Sequence, residues 1–168
     1  MARTSSYENP LQSDADRTRS EWHLCACCPP NVMRQIALLD HYLVTIDQAG
    51  VHIQLYAASN IQAEVNGHPI GLRIDIDYPW DGKVLVKVEE TPVGEWTLSL
   101  RIPKWCTQFD LRVNGEFAAI DRVDRYAVLR RAWHAGDGVG LNLSMPVRGC
   151  VALERGPLVY CFEGIDQP

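Results

Sequence analysis

Residues 65–78 read VNGHPIGLRIDIDY, and they indicate most directly how this chain folds. Apolar side chains occupy every second position from Ile70 to Tyr78, which is the period of a strand with one buried face. The dipeptide Asn66-Gly67 precedes this run and is typical of a tight hairpin turn. The pattern therefore predicts a long strand that pairs with residues 61–65 in an antiparallel hairpin.

Short alternating segments bounded by turn residues follow along the rest of the chain. The predicted strands are 51–56, 61–65, 70–78, 83–88, 96–102, 111–113, 126–129, 139–145 and 158–162. About nine strands with frequent turn signals are typical of a β-sandwich. One helix is predicted before them, over about residues 31–42, with Asn31 as its N-cap. The predicted fold is mainly β: a jelly-roll-like β-sandwich preceded by one amphipathic helix.

The composition is that of a globular protein without the features of nucleic-acid or membrane binding. Of the 168 residues, 46% are hydrophobic and 22% are charged, and the net charge is -5. No run approaches the ~20 apolar residues of a membrane helix. Because residues 1–6 lack the apolar stretch of a signal peptide, we expect a cytoplasmic location. Nucleic acid and membrane are not expected as partners.

The segment CACCPPN, residues 25–31, holds three of the six cysteines. Three thiols within four residues indicate metal binding, catalysis or disulfide formation, and the residues alone leave these three roles open. The other cysteines stand far apart and are expected to be ordinary buried thiols. They are Cys106, Cys150 and Cys161.

Six short motifs occur one after another along the chain. They are YENPL (7–11), CACCPPN (25–31), DYPWDG (77–82), LRIP (100–103), VNG (113–115) and RGPLVY (155–160). With these motifs in this order, the chain resembles the bacterial β-L-arabinofuranosidase family of glycoside hydrolases from about residue 5 to its end. Each motif alone is too short to be specific for a family, and the resemblance rests on the occurrence of all six motifs in this order.

The resemblance implies an (α/α)6 barrel that carries the active site, followed by β-sandwich domains. It also implies a retaining mechanism, in which a zinc-bound cysteine thiolate attacks the anomeric carbon and a glutamate acts as acid and then as base. Carried over by position, Cys27 is the nucleophile and a zinc ligand, and Cys28 is a second zinc ligand. The implied cofactor is zinc, and the implied substrate is an arabinofuranoside-type carbohydrate.

The sequence departs from this family in two respects. The family takes its other two zinc ligands from a Glu-x-Cys motif, which occurs nowhere in the 168 residues, and the acid/base glutamate has no counterpart. The connection after Met145 is also shorter than in the family. We therefore expect the C-terminal portion of a glycosidase, inactive alone: a truncated gene, a decayed copy or one part of a split enzyme. Residues 1–43 are interpreted as the remnant of the barrel and residues 44–168 as the sandwich domain.

Two other functions stay open at this point. The chain could be a non-catalytic carbohydrate-binding or accessory β-sandwich module, or a small thiol protein that binds a metal through Cys25, Cys27 and Cys28. His23 is a candidate metal ligand near the thiols, but a loop position is the favoured interpretation. Glu21 is the carboxylate nearest to the thiols in sequence and a candidate acid, but nothing fixes its distance from them. Four tryptophans are candidates for sugar stacking, although packing in the core or at a sheet edge is the favoured prediction: Trp80, Trp96, Trp105 and Trp133.

The apolar side chains on one face of the predicted helix are expected to pack against another surface, because exposed apolar patches drive association. These side chains are Val32, Ile36 and Leu39. We expect this surface to belong to a missing barrel chain, to a second copy of the chain in a homo-oligomer, or to the β-sandwich itself.

Overall fold

A computed structural model describes residues 27–149 and 153–160. The chain divides into two compact units, and the boundary lies between His41 and Tyr42. The predicted boundary between residues 43 and 44 stays a prediction. In the described part of the chain, no helix has the length and apolar character needed to cross a bilayer.

The first unit contains the α-helix α1, Cys28–Ala37, and a short 3-10 helix follows at Leu39–Tyr42. The helix begins at Cys28, three residues before the predicted start at residue 31, and its N-cap is Cys27 rather than Asn31. Pro29 and Pro30 lie within the first helical turn. Proline is tolerated there because the amide hydrogens of the first turn have no partner within the helix.

The second unit is built from strands, as the alternating pattern predicts. In chain order they are β1 (Val44–Ile46), β2 (Gly50–Ile53), β3 (Ser59–Val65), β4 (His68–Ile76), β5 (Lys83–Glu90), β6 (Glu95–Arg101), β7 (Phe109–Val113), β8 (Glu116–Phe117), β9 (Asp121–Val123), β10 (Tyr126–Ala132), β11 (Gly138–Leu143), β12 (Val147–Gly149), β13 (Leu153–Arg155) and β14 (Leu158–Tyr160). Five short strands were not predicted from the sequence: β1, β8, β9, β12 and β13. Two or three residues are too few to show an alternating pattern.

Two large sheets share one hydrophobic core. Their strand orders are β1-β2-β6-β10-β9 and β3-β4-β5-β11-β7-β8. All pairs are antiparallel except β2 with β6, which run parallel. Inward side chains such as Leu98 and Leu100 from the first sheet and Ile74, Val86 and Leu141 from the second belong to a single buried cluster. The mainly β, sandwich-like fold with one preceding helix is therefore confirmed.

A third, three-stranded sheet has the order β12-β13-β14. Its strands pair antiparallel, and Gly156 forms the turn between β13 and β14 with φ of 59°. The sequence analysis assigned residues 158–162 to the sandwich and did not predict a separate sheet.

The predicted turn at Asn66-Gly67 forms, and Asn114-Gly115 forms a second turn of the same kind. Asn66 and Gly67 have φ values of 52° and 78°, and they join β3 to β4. Asn114 and Gly115 have φ values of 53° and 87° and join β7 to β8. Positive φ at both central positions is what a tight hairpin requires, and asparagine and glycine adopt it at low cost.

Asp137 ties the β7–β8 hairpin to the turn before β11. Its carboxylate accepts hydrogen bonds from Asn114 Nδ2 and from the backbone N–H of His134, each at 2.8 Å. Burial raises the pKa of Asp137, but these hydrogen bonds, together with the charges of Arg131 and His134, outweigh it and leave the pKa below its ordinary value.

Asp137→Asn should make the protein less stable at neutral pH. The ionised carboxylate stabilises the fold fully above the unfolded-state pKa of about 3.9, and this contribution is lost as pH falls through the lower folded-state pKa. The variant should therefore lose about 1–2 kcal/mol at pH 7 and less at low pH. Urea unfolding across pH measures this, with Asp110→Asn at an exposed position as control. A loss independent of pH would contradict the assignment.

Candidate active site

The two adjacent cysteines of the thiol cluster lie at the N-terminus of α1. Cys27 is the N-cap residue, and Cys28 is the first residue of the helix. Both side chains are exposed, so they are accessible to solutes. Pro29 and Pro30 follow directly, and because the proline ring holds φ near −65°, they restrict the backbone next to the sulfurs.

The sulfur atoms of Cys27 and Cys28 lie 3.7 Å apart. Two thiolates bound to one tetrahedral zinc, each at about 2.3 Å, are separated by about 3.8 Å. The local backbone therefore already holds the two sulfurs at the separation that a single zinc ion requires. Both sulfurs could therefore bind the implied zinc ion without a change in the distance between them.

Asn31 has a different role from the predicted one. Its Oδ1 accepts a hydrogen bond of 2.7 Å from Arg34 Nη1, one turn further along α1. This contact joins two side chains on the helix surface, where residues three apart are neighbours.

The remaining candidates near the thiols lie outside the described residues. These are Glu21, His23 and Cys25. Within residues 27–149 and 153–160, no group of three or more histidine, cysteine, aspartate or glutamate side chains could hold a metal ion. The described residues therefore offer two donors, Cys27 and Cys28, and the assignment of these residues to zinc and to nucleophilic attack stays a prediction.

Cys106 is a buried thiol, as predicted. Its side chain is 4% exposed and its Sγ donates a hydrogen bond of 3.0 Å to the carbonyl of Gln108. Burial raises the pKa of this thiol above its ordinary value, which keeps it protonated and poorly nucleophilic. Cys150 and Cys161 lie outside the described residues.

The tryptophans divide between core and surface. Trp96 and Trp133 are 4% and 3% exposed and pack with their ring centres 5.5 Å apart, as predicted for core residues. Trp105 is half-buried and stacks on Tyr78. Of the two predicted locations, the core is excluded for Trp80, because 64% of this residue is exposed at a turn.

The DYPWDG motif forms that turn. The carbonyl of Asp77 accepts hydrogen bonds from the backbone N–H groups of Trp80 and Asp81, and Asp81 Oδ1 accepts one from the N–H of Lys83. Arg155 Nη1 donates to the carbonyl of Trp80 at 2.9 Å, which links this turn to the third sheet. These hydrogen bonds show that the residues of the motif form and stabilise a turn.

Gly82 closes the motif against β11. A Cβ atom at this position would lie 2.0 Å from the carbonyl oxygen of Leu143, which is too close for any side chain. The same residues exchange a backbone hydrogen bond, from the N–H of Leu143 to the carbonyl of Gly82, at 2.9 Å. The motif therefore requires glycine at its last position.

Gly82→Ala should destabilise the fold by about 2–4 kcal/mol, because the backbone must move to relieve the contact. Gly140→Ala is the matched control, since a Cβ atom at that position in β11 would meet nothing within 4 Å. Its effect should be small. Urea unfolding of both variants measures the difference, and equal stabilities would contradict the close approach.

A cleft of about 620 Å³ was not foreseen from the sequence. Its lining comes from residues 101–106 and 122–126, which meet because Tyr126 pairs with Arg101 between β10 and β6. Four of its side chains are basic. The sequence signal is two basic residues in each of two segments about 20 residues apart, which points to a common site only once the strand pairing is known.

Comparison with known proteins places the chain in a family. The family model described as "Beta-L-arabinofuranosidase, GH127 middle domain" matches residues 50–145, and "Glycoside hydrolase family 127 C-terminal domain" matches residues 144–168. The chain therefore belongs to glycoside hydrolase family 127. This confirms the resemblance inferred from the six motifs.

Individual relatives agree with this assignment. A non-reducing end β-L-arabinofuranosidase of Bifidobacterium longum subsp. longum is 33% identical over an alignment that covers 96% of this chain and 27% of the relative. The crystal structure of a GH127 β-L-arabinofuranosidase from Geobacillus stearothermophilus T6 is 40% identical, with a TM-score of 0.82, and covers 89% of this chain and 26% of that protein.

A further solved structure, described as a glycoside hydrolase, is 34% identical with a TM-score of 0.83, and covers 96% of this chain and 30% of that one. The chain thus spans between about a quarter and a third of the length of these relatives.

Proposed function

We propose that this chain carries the thiol motif and the β-sandwich region of a retaining, zinc-dependent β-L-arabinofuranosidase. The 3.7 Å separation of the Cys27 and Cys28 sulfurs is the observation that carries the proposal. It supports chelation of one metal ion by both residues. Membership of glycoside hydrolase family 127 supports an arabinofuranoside as the substrate.

Cys27 acts as the nucleophile in this proposal. When bound by the two sulfurs, zinc favours the thiolate form of its ligands at neutral pH. Cys27 Sγ forms a bond to the anomeric carbon while the bond from that carbon to the leaving oxygen breaks, and that oxygen takes a proton from an acid. Water then gives a proton to the conjugate base of that acid and attacks the anomeric carbon. The bond from this carbon to Sγ breaks, the thiolate leaves, and the sugar is released with its original anomeric configuration.

The acid and the remaining zinc ligands come from outside the described thiol pair. No Glu-x-Cys motif occurs in the 168 residues, so this sequence does not supply the ligands that the family takes from that motif. We therefore propose that the 168-residue chain does not hydrolyse arabinofuranosides unless a polypeptide with this motif and an acid/base glutamate accompanies it.

Cobalt binding tests the ligand assignment. Co²⁺ replaces zinc in thiolate sites and gives a sulfur-to-metal absorption band that grows with the number of bound thiolates. We expect Cys27→Ser and Cys28→Ser each to lower this band by about half, because each removes one thiolate of a pair. Cys106→Ala, which removes a buried thiol, should leave the band unchanged. A full band in both single variants would contradict chelation by the pair.

A chimera tests the catalytic role. The C-terminal part of the Geobacillus relative is replaced by this chain, so that the upstream part of the relative supplies the missing groups. We expect the chimera to release p-nitrophenol from p-nitrophenyl β-L-arabinofuranoside, and the 168-residue chain alone to release none. Cys27→Ala in the chimera should lower kcat by about a thousandfold or more, because the nucleophile is lost.

Cys106→Ala in the same chimera is the matched control and should leave kcat nearly unchanged. Turnover by the 168-residue chain alone would overturn the need for an accompanying polypeptide. Full turnover by the Cys27→Ala chimera would overturn the assignment of the nucleophile.

A further inference from the structure

The cleft at the ends of β6 and β10 combines basic side chains with polar ones. Tyr126, the first residue of β10, pairs with Arg101, the last residue of β6, and this pairing brings residues 101–106 next to residues 122–126. The cleft has a volume of about 620 Å³, enough for a small organic molecule.

The charge of this cleft is strongly positive. Four basic side chains and one carboxylate, that of Asp124, line it. The basic residues are Arg101, Lys104, Arg122 and Arg125. This concentration contrasts with the net charge of -5 for the whole chain. A cleft of one sign focuses the field and attracts solutes of the opposite sign.

These four cations are not neutralised by carboxylates of the described residues. Elsewhere Arg73, Lys83, Arg130 and Arg148 each form an ion pair within 4 Å. Within residues 27–149 and 153–160, none of the four cleft residues does so, although Asp124 lines the same cleft. The positive charge of the cleft is therefore available to a ligand.

The arginines of the cleft keep most of their hydrogen-bonding capacity. Arg101 is half-buried, and its Nη1 donates a hydrogen bond of 3.3 Å to the carbonyl of Gln54. Arg122 lies over the ring of Phe109, with its guanidinium carbon 5.3 Å from the ring centre. A guanidinium group has five N–H donors arranged to bind a carboxylate through two parallel hydrogen bonds.

A second, smaller cleft of about 270 Å³ adjoins the first, because Asp124 and Tyr126 line both. Its other polar groups are Thr45, Gln54 and Ser99, together with Asp47 and His52, whose Oδ2 and Nε2 atoms pair at 3.0 Å. The Tyr126 hydroxyl donates to Gln54 Oε1, and Gln54 Nε2 donates to Thr45 Oγ1 at 2.7 Å. Neutral hydrogen-bonding groups of this kind suit the hydroxyls of a ligand.

We propose that the two adjoining clefts bind a sugar acid, with its carboxylate among the basic residues and its hydroxyls against the neutral polar groups. The polar groups that line both clefts decide between the possible anions. The hydroxyls of a sugar acid can donate hydrogen bonds to Asp124 and reach the polar groups of the adjoining cleft, whereas inorganic phosphate is too small to reach both clefts at once. The ligand class is therefore a hydroxylated monocarboxylate of the uronic acid type.

Calorimetric titration of the 168-residue chain with D-galacturonate tests this proposal, with D-galactose and inorganic phosphate as comparison ligands. We expect galacturonate to bind and both comparison ligands to bind at least about tenfold more weakly, because each lacks either the carboxylate or the hydroxyls. Binding of galacturonate should weaken as salt is added, since the attraction is between charges near the surface.

Variants locate the site. Arg122→Gln and Lys104→Gln should each weaken galacturonate binding by about tenfold. Arg130→Gln is the matched control, because Arg130 lies on the same sheet but outside both clefts, and it should bind galacturonate as the parent chain does. Far-ultraviolet circular dichroism establishes that each variant is folded before it is titrated.

Three results would overturn the proposal: no galacturonate binding, phosphate binding as tight as galacturonate binding, or equal losses in Arg122→Gln and Arg130→Gln. The test is independent of the proposed hydrolase function. Cys27→Ala should bind galacturonate unchanged, so that failure of one proposal leaves the other standing.

Discussion

Burial of the inward faces of two sheets in one core is the constraint on which the second unit depends. Side chains such as Val51, Val86, Leu98 and Val139 are fully buried, and each contributes about 1.5–3 kcal/mol relative to an exposed position. Because the period of a strand is two, moving any strand by one residue would expose its apolar side. The core therefore holds the register of every long strand, and with it the position of each loop that leaves the sandwich.

The thiol pair depends on a different and local constraint. Adjacent residues at the N-terminus of α1 place two sulfurs 3.7 Å apart, and two prolines in the first turn restrict the backbone beside them. Both sulfurs therefore come from one short segment of the sequence, and their separation suits two of the four ligands of a tetrahedral zinc ion.

The cationic cleft, in contrast, depends on contacts between residues that are far apart in the sequence. Its residues come from the ends of β6 and β10, and the pairing of Tyr126 with Arg101 is what makes them neighbours. Like charges repel, so holding four cations in one place costs stability that the core has to supply. Such local conflict between charges is commonly found where a protein binds a ligand of opposite charge.

Alternation from Ile70 to Ile76 and the Asn-Gly turns predicted β3, β4 and their hairpin, because both signals are local. The ordered motifs predicted the family.

The sequence did not predict the parallel pairing of β2 with β6 or the separate sheet of β12, β13 and β14, since pairing partners are chosen by the core and not by the strand itself. Asn31 has the side chain of a good N-cap, but the helix begins before it because a first helical turn tolerates the two prolines. The sequence by itself thus determined the long strands, the Asn-Gly turns and the presence of two adjacent cysteines. Only the tertiary structure decided which strands are neighbours and that four distant cations share a cleft, because these depend on contacts between residues far apart in the chain.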